Sequence, residues 1–251
     1  MVYTYDGTFN GLLSVIFETY QLRQAADDIV EESVFQPGLF GAPLHIPTTP
    51  AYAKRVRQGL EKRCGQDVAR ILYHCFLSEQ PRIEMLIYRF ACLAVAHPDN
   101  ILDNFREPVV LQIHRIERQI HREVHRMHAF VRFQETRDGL YTALVNPDFN
   151  VLPLLSPHFK DRYPAFRWLI YDTKRHYGLY HEHHSTRFIT LDTKQHRYLS
   201  EEMLSSAEAD YQSLWKTYFD SVDIPERRNM KLHLQHVPRR YWKYLVEKGN
   251  F

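Results

Sequence analysis

Apolar residues recur at helical spacing through most of the first half of the chain. The first helical pattern follows Thr8, and threonine is a residue type that caps helix N-termini. Breaks at Cys64-Gly65, Glu79-Gln80-Pro81 and His97-Pro98 separate the later helical patterns. A short strand is expected at Val2–Tyr5, before the first helix. We therefore predict a helix after Thr8 and further helices over residues 51–63, 66–78, 82–96 and 105–127.

The apolar period changes from 3.6 to 2 residues near Ala129, and a period of 2 favours β-strands. Turn residues 136–139 and 172–175 each lie between two alternating segments, which predicts two hairpins. A helix over 149–162 interrupts the strands, and helices return at about 201–219 and 238–247. The predicted strands of this region are residues 129–134, 140–145, 166–171, 177–181 and 187–191.

These elements predict an α+β fold in which helices pack around an antiparallel sheet of about five strands. The length of 251 residues is sufficient for a well-buried core, and we predict a single domain over residues 1–251. Within it, we expect a helical part at 8–127, a sheet part at 128–192 and a helical C-terminal tail at 200–248.

The predicted helix around residues 113–128 carries two further stripes besides its apolar one. One stripe consists of four arginines, and forked guanidinium groups match phosphate oxygens in two-pronged hydrogen bonds. The alternative is an ordinary solvated helix face. The arginines that we predict to bind nucleic acid here are Arg115, Arg118, Arg122 and Arg126.

The other stripe contains Glu117, His121 and His125, which lie one helical turn apart. Histidines at this spacing can chelate a metal ion, so the three residues are candidate ligands. Histidine is abundant, with fifteen in the chain, and histidines on helix flanks are commonly surface residues. The sequence has no HExxH or CxxC motif. We therefore expect no metal and no other cofactor.

The C-terminal segment 227–248 interleaves basic and aromatic residues. Cations that hold phosphates and rings that stack on bases are the two components of a single-strand binding site. In the alternative interpretation, the aromatic residues form the buried stripe of the last helix. The candidates for nucleic-acid binding in this segment are Arg239, Arg240, Tyr241, Trp242 and Lys243.

The overall composition is ordinary for a globular protein, with 44% hydrophobic and 25% charged residues. The net charge of +2 hides an asymmetry, because residues 1–50 are acidic and residues 224–251 are basic. Three cysteines in apolar helical contexts indicate reduced thiols and not a disulfide framework. Since the sequence also shows no signal peptide or membrane span, we expect a cytoplasmic protein.

Several segments distributed over the whole chain carry a resemblance to a known family. They are Tyr5–Phe9, Gly11–Leu13, Glu123–Met127, Phe130–Phe133, Asn150–Leu155, Pro157–Phe159, Trp168–Asp172, Leu214–Phe219 and Arg239–Leu245. In these segments the chain resembles the bacterial family of "probable DNA metabolism proteins", a domain of unknown function. The resemblance implies a partner, because members accompany a radical SAM DNA-repair protein and some are fused to uracil-DNA glycosylase-like domains. It supplies no catalytic residues.

The basic segments and the resemblance together predict a nucleic-acid-associated accessory protein in DNA repair or modification. One alternative is a metal-dependent enzyme that acts on DNA or nucleotides, using the histidines with Asp172 or Glu182. A second alternative is a protein–protein adaptor without DNA contact, which would dock through its acidic first 50 residues. Whether the protein is an enzyme stays open at this point.

Overall fold

A computed structural model describes residues 1–36, 42–97, 99–191, 203–222 and 229–248. The chain divides into two compact units, residues 1–120 and 121–251, and each is described by itself. The single domain expected from the sequence stays a prediction. Residues 201–202 of a predicted helix, and Arg227 and Arg228 of the basic segment, lie outside the described residues.

The first unit contains a small parallel sheet in the order β2-β1-β3. The predicted strand β1 (Val2–Tyr5) is confirmed and lies in the centre, between β2 (Asp28–Glu31) and β3 (Leu44–His45). The two outer strands, of four and two residues, were not predicted.

The predicted helices of the first unit are confirmed. Helix α1 begins where the side-chain oxygen of Thr8 accepts a hydrogen bond from the backbone N–H of Gly11, at 2.9 Å. Its apolar face is buried together with Tyr3 and Tyr5 of the central strand. The four helices are α1 (Phe9–Gln21), α2 (Pro50–Cys64), α3 (Val68–Phe76) and α4 (Ile83–Ala96).

Helix α5 (Pro108–Phe130) begins in the first unit and ends in the second. Its apolar positions, among them Ile113, Ile120 and Met127, are buried as the sequence pattern predicts. The helix continues three residues beyond its predicted end, so the strand predicted from Ala129 is wrong at its start. Of the predicted residues 129–134 only Gln134 lies in a strand, the short β4 (Gln134–Glu135).

The second unit is built on a five-stranded sheet in the order β4-β5-β6-β7-β8. Both predicted hairpins are confirmed, since β4–β5 and β6–β7 pair in antiparallel fashion. The α+β class is therefore confirmed, but the sheet is mostly and not wholly antiparallel. The remaining strands are β5 (Tyr141–Val145), β6 (Trp168–Asp172), β7 (Tyr177–Glu182) and β8 (Ser185–Ile189).

The parallel pair is β5–β6, whose strands are joined through helix α6 (Leu152–Arg162). All five residues of β6 are buried. The ring of Trp168 stacks on the buried His181 of β7, at 5.0 Å between centroids. His181 also contacts Thr186 and the carbonyl of Pro164 through its two ring nitrogens, so it is a core residue.

The C-terminal part of the second unit is helical, and its details differ from the prediction. The predicted helix over 201–219 corresponds to α7 (Glu208–Val222), and the short helix α8 (Met230–His236) was not predicted. The predicted helix 238–247 is instead two 3₁₀ segments, Arg239–Tyr244 and Val246–Lys248. Of the helices that the structure describes, none is long and apolar enough to cross a membrane.

Candidate functional site

An open groove with a volume of about 780 Å³ lies in the second unit. Its volume falls within the range of clefts that hold small organic ligands. Aromatic side chains dominate its lining. The groove is lined by Ala129, Val131, Arg132, Phe133, Glu135, Tyr141, Tyr163, Phe166, Trp168, Glu208, Tyr211, Gln212, Trp215 and Val246.

One side of the groove is formed by rings on and beside the sheet. Trp168, at the start of β6, lines the groove and is fully buried, whereas Phe166 is 50% exposed. The ring of Tyr141 contacts Phe166 edge to face at 5.3 Å, and Tyr163 does so at 6.4 Å. These contacts hold the exposed ring of Phe166 in place without covering it.

Helix α7 supplies further residues of the groove lining. Tyr211 and Trp215 lie four residues apart and therefore on one face of the helix. They remain 63% and 40% exposed, respectively, which is unusual for large aromatic residues on a helix that packs in a folded unit. Further exposed apolar side chains on this helix are Leu214 and Tyr218. Such a cluster of exposed apolar residues is typical of a binding surface.

Arg132 lies at the edge of the groove, but its charge is already compensated. Its Nη2 donates to Glu247 at 2.8 Å, and its guanidinium lies 5.5 Å from the ring centroid of Trp215. Burial opposes ionisation of Glu247, but hydrogen bonds from Arg132 and Trp215 outweigh it and lower the pKa of this carboxyl. The three side chains therefore form a clamp that fixes the position of Trp215.

Two carboxyl groups complete the lining. Glu208 is buried, and its oxygens accept from the backbone N–H of Glu135 at 2.9 Å and from Nε2 of Gln212 at 3.1 Å. Glu135 lies opposite Tyr141 in the β4–β5 pair. Burial, and then the carboxylate of Glu135, raise the pKa of Tyr141. The polar part of the groove is thus rich in hydrogen-bond acceptors.

The arginines predicted on α5 differ in their surroundings. Arg115, Arg118 and Arg122 are exposed. Arg126 is half-buried, and its Nη1 lies 3.5 Å from Oε2 of the buried Glu123. The stripe is therefore not uniformly open, because an internal carboxylate compensates its last member.

Glu123 is the centre of a buried polar network that also involves the C-terminal segment. It accepts hydrogen bonds from the backbone N–H of Asp148 at 2.8 Å, from Nη2 of Arg240 at 3.3 Å and from the hydroxyl of Tyr241. Arg240 contacts the carboxylate of Asp148 as well, at 2.7 Å. Burial and then Glu123 raise the pKa of Tyr241. Tyr241 is a core residue, so its ring presents no open face to a base.

The other candidates of the C-terminal segment lie nearer the surface. Arg239 and Lys243 are exposed. Trp242 is half-buried, its Nε1 donates to the carbonyl of Val237 at 3.0 Å, and Arg239 lies 5.8 Å from its ring centroid. Lys243 lies 4.7 Å from the ring centroid of Tyr244. The basic residues that could contact phosphates here are therefore Arg239 and Lys243.

The candidate metal ligands on α5 are only partly available. Glu117 accepts from Arg70 at 3.4 Å and lies 3.7 Å from His114. His121 and His125 are exposed one turn apart on the helix. They remain candidate ligands, and the expectation that the protein holds no metal stays a prediction.

The acids named for the enzyme alternative lie elsewhere in the second unit. Asp172 is buried and holds the β6–β7 turn, since it accepts from the backbone N–H groups of Lys174 and Arg175. Glu182 contacts Arg167 at 3.1 Å, near the turn formed by His183 and His184. Neither acid lines the groove.

The groove aromatics were missed as functional residues, because their pattern along the sequence is that of ordinary core residues. Phe166 and Tyr163 belong to an irregular segment before β6, and Tyr211 and Trp215 belong to a predicted helix. The sequence carries no signal of their exposure, because Tyr211 and Trp215 belong with Leu214, Tyr218 and Phe219 to an apolar stripe at helical spacing, which predicts burial.

A search of curated proteins found no match, and neither did a search of solved structures. A family model described as a domain of unknown function, DUF4130, matches residues 81–247. This range covers about two thirds of the chain and contains every residue that lines the groove. The chain therefore belongs to the DUF4130 family.

Proposed function

We propose that this protein is a nucleic-acid-associated accessory protein in DNA repair or modification, and that it binds single-stranded DNA along the groove of the second unit. The observation that supports this proposal is the combination, within one unit, of exposed aromatic rings and an adjoining basic segment. Sites for single strands combine these two parts, because rings stack on bases while cations hold the backbone.

The stacking part consists of Phe166, Tyr211 and Trp215, which line the groove and are exposed. A base in a duplex is covered by its neighbours, whereas a base in a single strand can insert between protein rings. The proposed ligand is therefore a single strand, or a strand with an unpaired region.

The residues proposed to contact phosphates lie near Val246 in the chain, and Val246 lines the groove. The 3₁₀ segments around it carry Arg239 and Lys243, which are exposed, and Lys248, whose Nζ lies 4.6 Å from the ring centroid of Phe219. In the proposal, these cations contact the backbone of the bound strand. Arg122 is exposed on the part of α5 in the second unit and contributes a further phosphate contact. Arg115 and Arg118 are exposed on the part of α5 in the first unit, where we propose separate phosphate contacts. Arg126 and Arg240 contribute less, because Glu123 already compensates their charge.

The proposal assigns the chemical step to a partner, a radical SAM protein or a uracil-DNA glycosylase-like protein. Among the residues that the structure describes, the groove lining contains no cysteine, serine or histidine, and of its two glutamates Glu208 already accepts hydrogen bonds from Glu135 and Gln212. A protein that holds a strand without such groups is suited to present it to an enzyme.

Fluorescence anisotropy with a labelled single-stranded oligonucleotide and its duplex, at several salt concentrations, tests the proposal. We expect the single strand to bind more tightly, and its affinity to fall linearly with the logarithm of the salt concentration as counterions are released. Undetectable binding at low salt would contradict the proposal and favour the adaptor alternative. An affinity indifferent to salt would exclude the phosphate contacts.

A further inference from the structure

We infer that the groove prefers unstacked bases that carry an exocyclic amino group, such as cytosine, over thymine. This inference rests on the proposed function and adds a selectivity to it. It comes from the polar groups of the groove lining, which offer mainly hydrogen-bond acceptors to a ligand.

The acceptors are the carboxylates of Glu135 and Glu208. Each oxygen of Glu208 already accepts one hydrogen bond, from the Glu135 backbone and from Gln212 respectively. A carboxylate oxygen has two lone pairs, so both oxygens keep capacity for a donor from a ligand. Glu135 adds a second carboxylate at the same end of the groove, on the β4–β5 rim beside Tyr141.

Most nitrogen donors of the lining are engaged within the protein, and the hydroxyl of Tyr141 hydrogen-bonds to Glu135. The guanidinium of Arg132 donates to Glu247 at 2.8 Å and to the carbonyl of Ala129 at 2.7 Å. Nε1 of Trp215 also donates to Glu247, at 2.9 Å, and Nε2 of Gln212 donates to Glu208. A ligand in the groove therefore meets negative charge and acceptors between aromatic walls.

This arrangement distinguishes bases by their edges. Cytosine presents an amino donor at N4, which glutamate carboxylates accept, whereas thymine presents a carbonyl oxygen and a methyl group at the same edge. A carbonyl that faces a carboxylate is repelled, which selects against thymine as well as for cytosine. The same negative charge keeps phosphates out of the groove and at its basic border.

The test compares short labelled oligonucleotides that contain only deoxycytidine or only deoxythymidine, in the wild type and in two variants. Glu135→Gln replaces an acceptor-only group by an amide, which can also donate to a thymine carbonyl. Asp161→Asn is the matched control, because Asp161 is exposed on α6 and is not part of the groove lining. Circular dichroism checks that each variant is folded, and Glu208→Gln replaces Glu135→Gln if that variant is not.

We expect the wild type and Asp161→Asn to bind the cytosine oligonucleotide about fivefold or more tightly than the thymine oligonucleotide. In Glu135→Gln the ratio should fall towards one, mainly through tighter binding of thymine. Equal, salt-dependent binding of both oligonucleotides by the wild type would overturn the inference and leave the proposed function standing. Absence of binding to either oligonucleotide would overturn both.

Discussion

Two groups of acidic residues in the second unit differ in whether neighbouring cations compensate their charge. Around Glu123, the cations of Arg126 and Arg240 and the hydroxyl of Tyr241 converge on one buried carboxylate. In the groove, carboxylates lie beside aromatic rings that remain exposed. Basic residues in a sequence therefore do not by themselves mark an anion-binding surface, because some of them compensate internal acids. The surface that stays open to a ligand is largely aromatic.

The largest effect in this comparison is expected from Glu123→Ala. The substitution leaves two arginines, a buried hydroxyl and the backbone N–H of Asp148 without their shared acceptor. Leaving a buried donor such as the Tyr241 hydroxyl without an acceptor costs about 1–3 kcal/mol in free energy of unfolding, and the lost ion pairs add to this. Urea denaturation measures this loss, and Asp161→Asn should change stability by less than about 0.5 kcal/mol. Similar stabilities of the two variants would mean that the Glu123 network is not a closed structural unit.

The second prediction concerns the exposed aromatic residues of the groove. Tyr211→Ala should weaken binding of single-stranded DNA by about 1–3 kcal/mol, the contribution of one stacked base. Tyr20→Ala is the control, because Tyr20 is an exposed tyrosine of α1 in the first unit and is not part of the groove lining. Anisotropy titrations of both variants should show the loss in Tyr211→Ala alone. Equal losses would place the binding surface outside the groove.

The third prediction is a pH dependence of stability that arises at His128, a half-buried residue of α5 outside the groove lining. The ring of His128 stacks on that of His158 at 3.9 Å between centroids. Burial, and then His158 and His125, lower the pKa of His128 from 6.5 to about 4. Since the unfolded chain binds the proton more readily, stability is full above pH 6.5 and falls as the pH drops from 6.5 to about 4.

We expect this group to contribute a loss on the order of 2 kcal/mol over that window, measured by urea denaturation at several pH values. His128→Phe keeps a ring in the stack and removes the titration, so its stability should depend less on pH in this range. An unchanged profile in His128→Phe would assign the pH dependence to other groups.

The smallest effect is expected from Arg239→Ala. This side chain is exposed, and its contact with the ring of Trp242 is 5.8 Å long, so stability should change by less than about 0.5 kcal/mol. If Arg239 contacts a phosphate, the slope of log affinity against log salt should fall by about one. The same salt titration on Arg126→Ala is the comparison, and a smaller change of slope is expected there because Glu123 compensates Arg126.

Local patterns were sufficient to predict most elements of the fold. The apolar stripe of α5 and the turn residues of the two hairpins fixed the class and the approximate strand number. The end of α5 could not be predicted, because Ala129 and Phe130 fit a helix as well as a strand. The parallel β5–β6 pair depends on contacts far apart in sequence, which a local period does not contain.

The candidate site was harder to predict than the fold. Exposed arginines such as Arg115 were found by their spacing, but their internal partners depend on tertiary structure, as the pairing of Arg240 with Glu123 illustrates. Phe166 and Trp215 line one groove although they are far apart in the chain. Large aromatic residues are usually assigned to the core, whereas these two are exposed. Only the folded structure shows this difference.

The parallel pairing of β5 with β6 has a consequence for the order of assembly. Strands β6, β7 and β8 are joined by short turns, so they can associate early, whereas β5 reaches β6 only after the longer connection through α6 is closed. Tyr141 on β5 and Trp168 on β6 face the same groove from either side of this seam. We therefore expect the groove to be among the last features to form during refolding. Binding of a ligand to the groove should appear only after the sheet is complete.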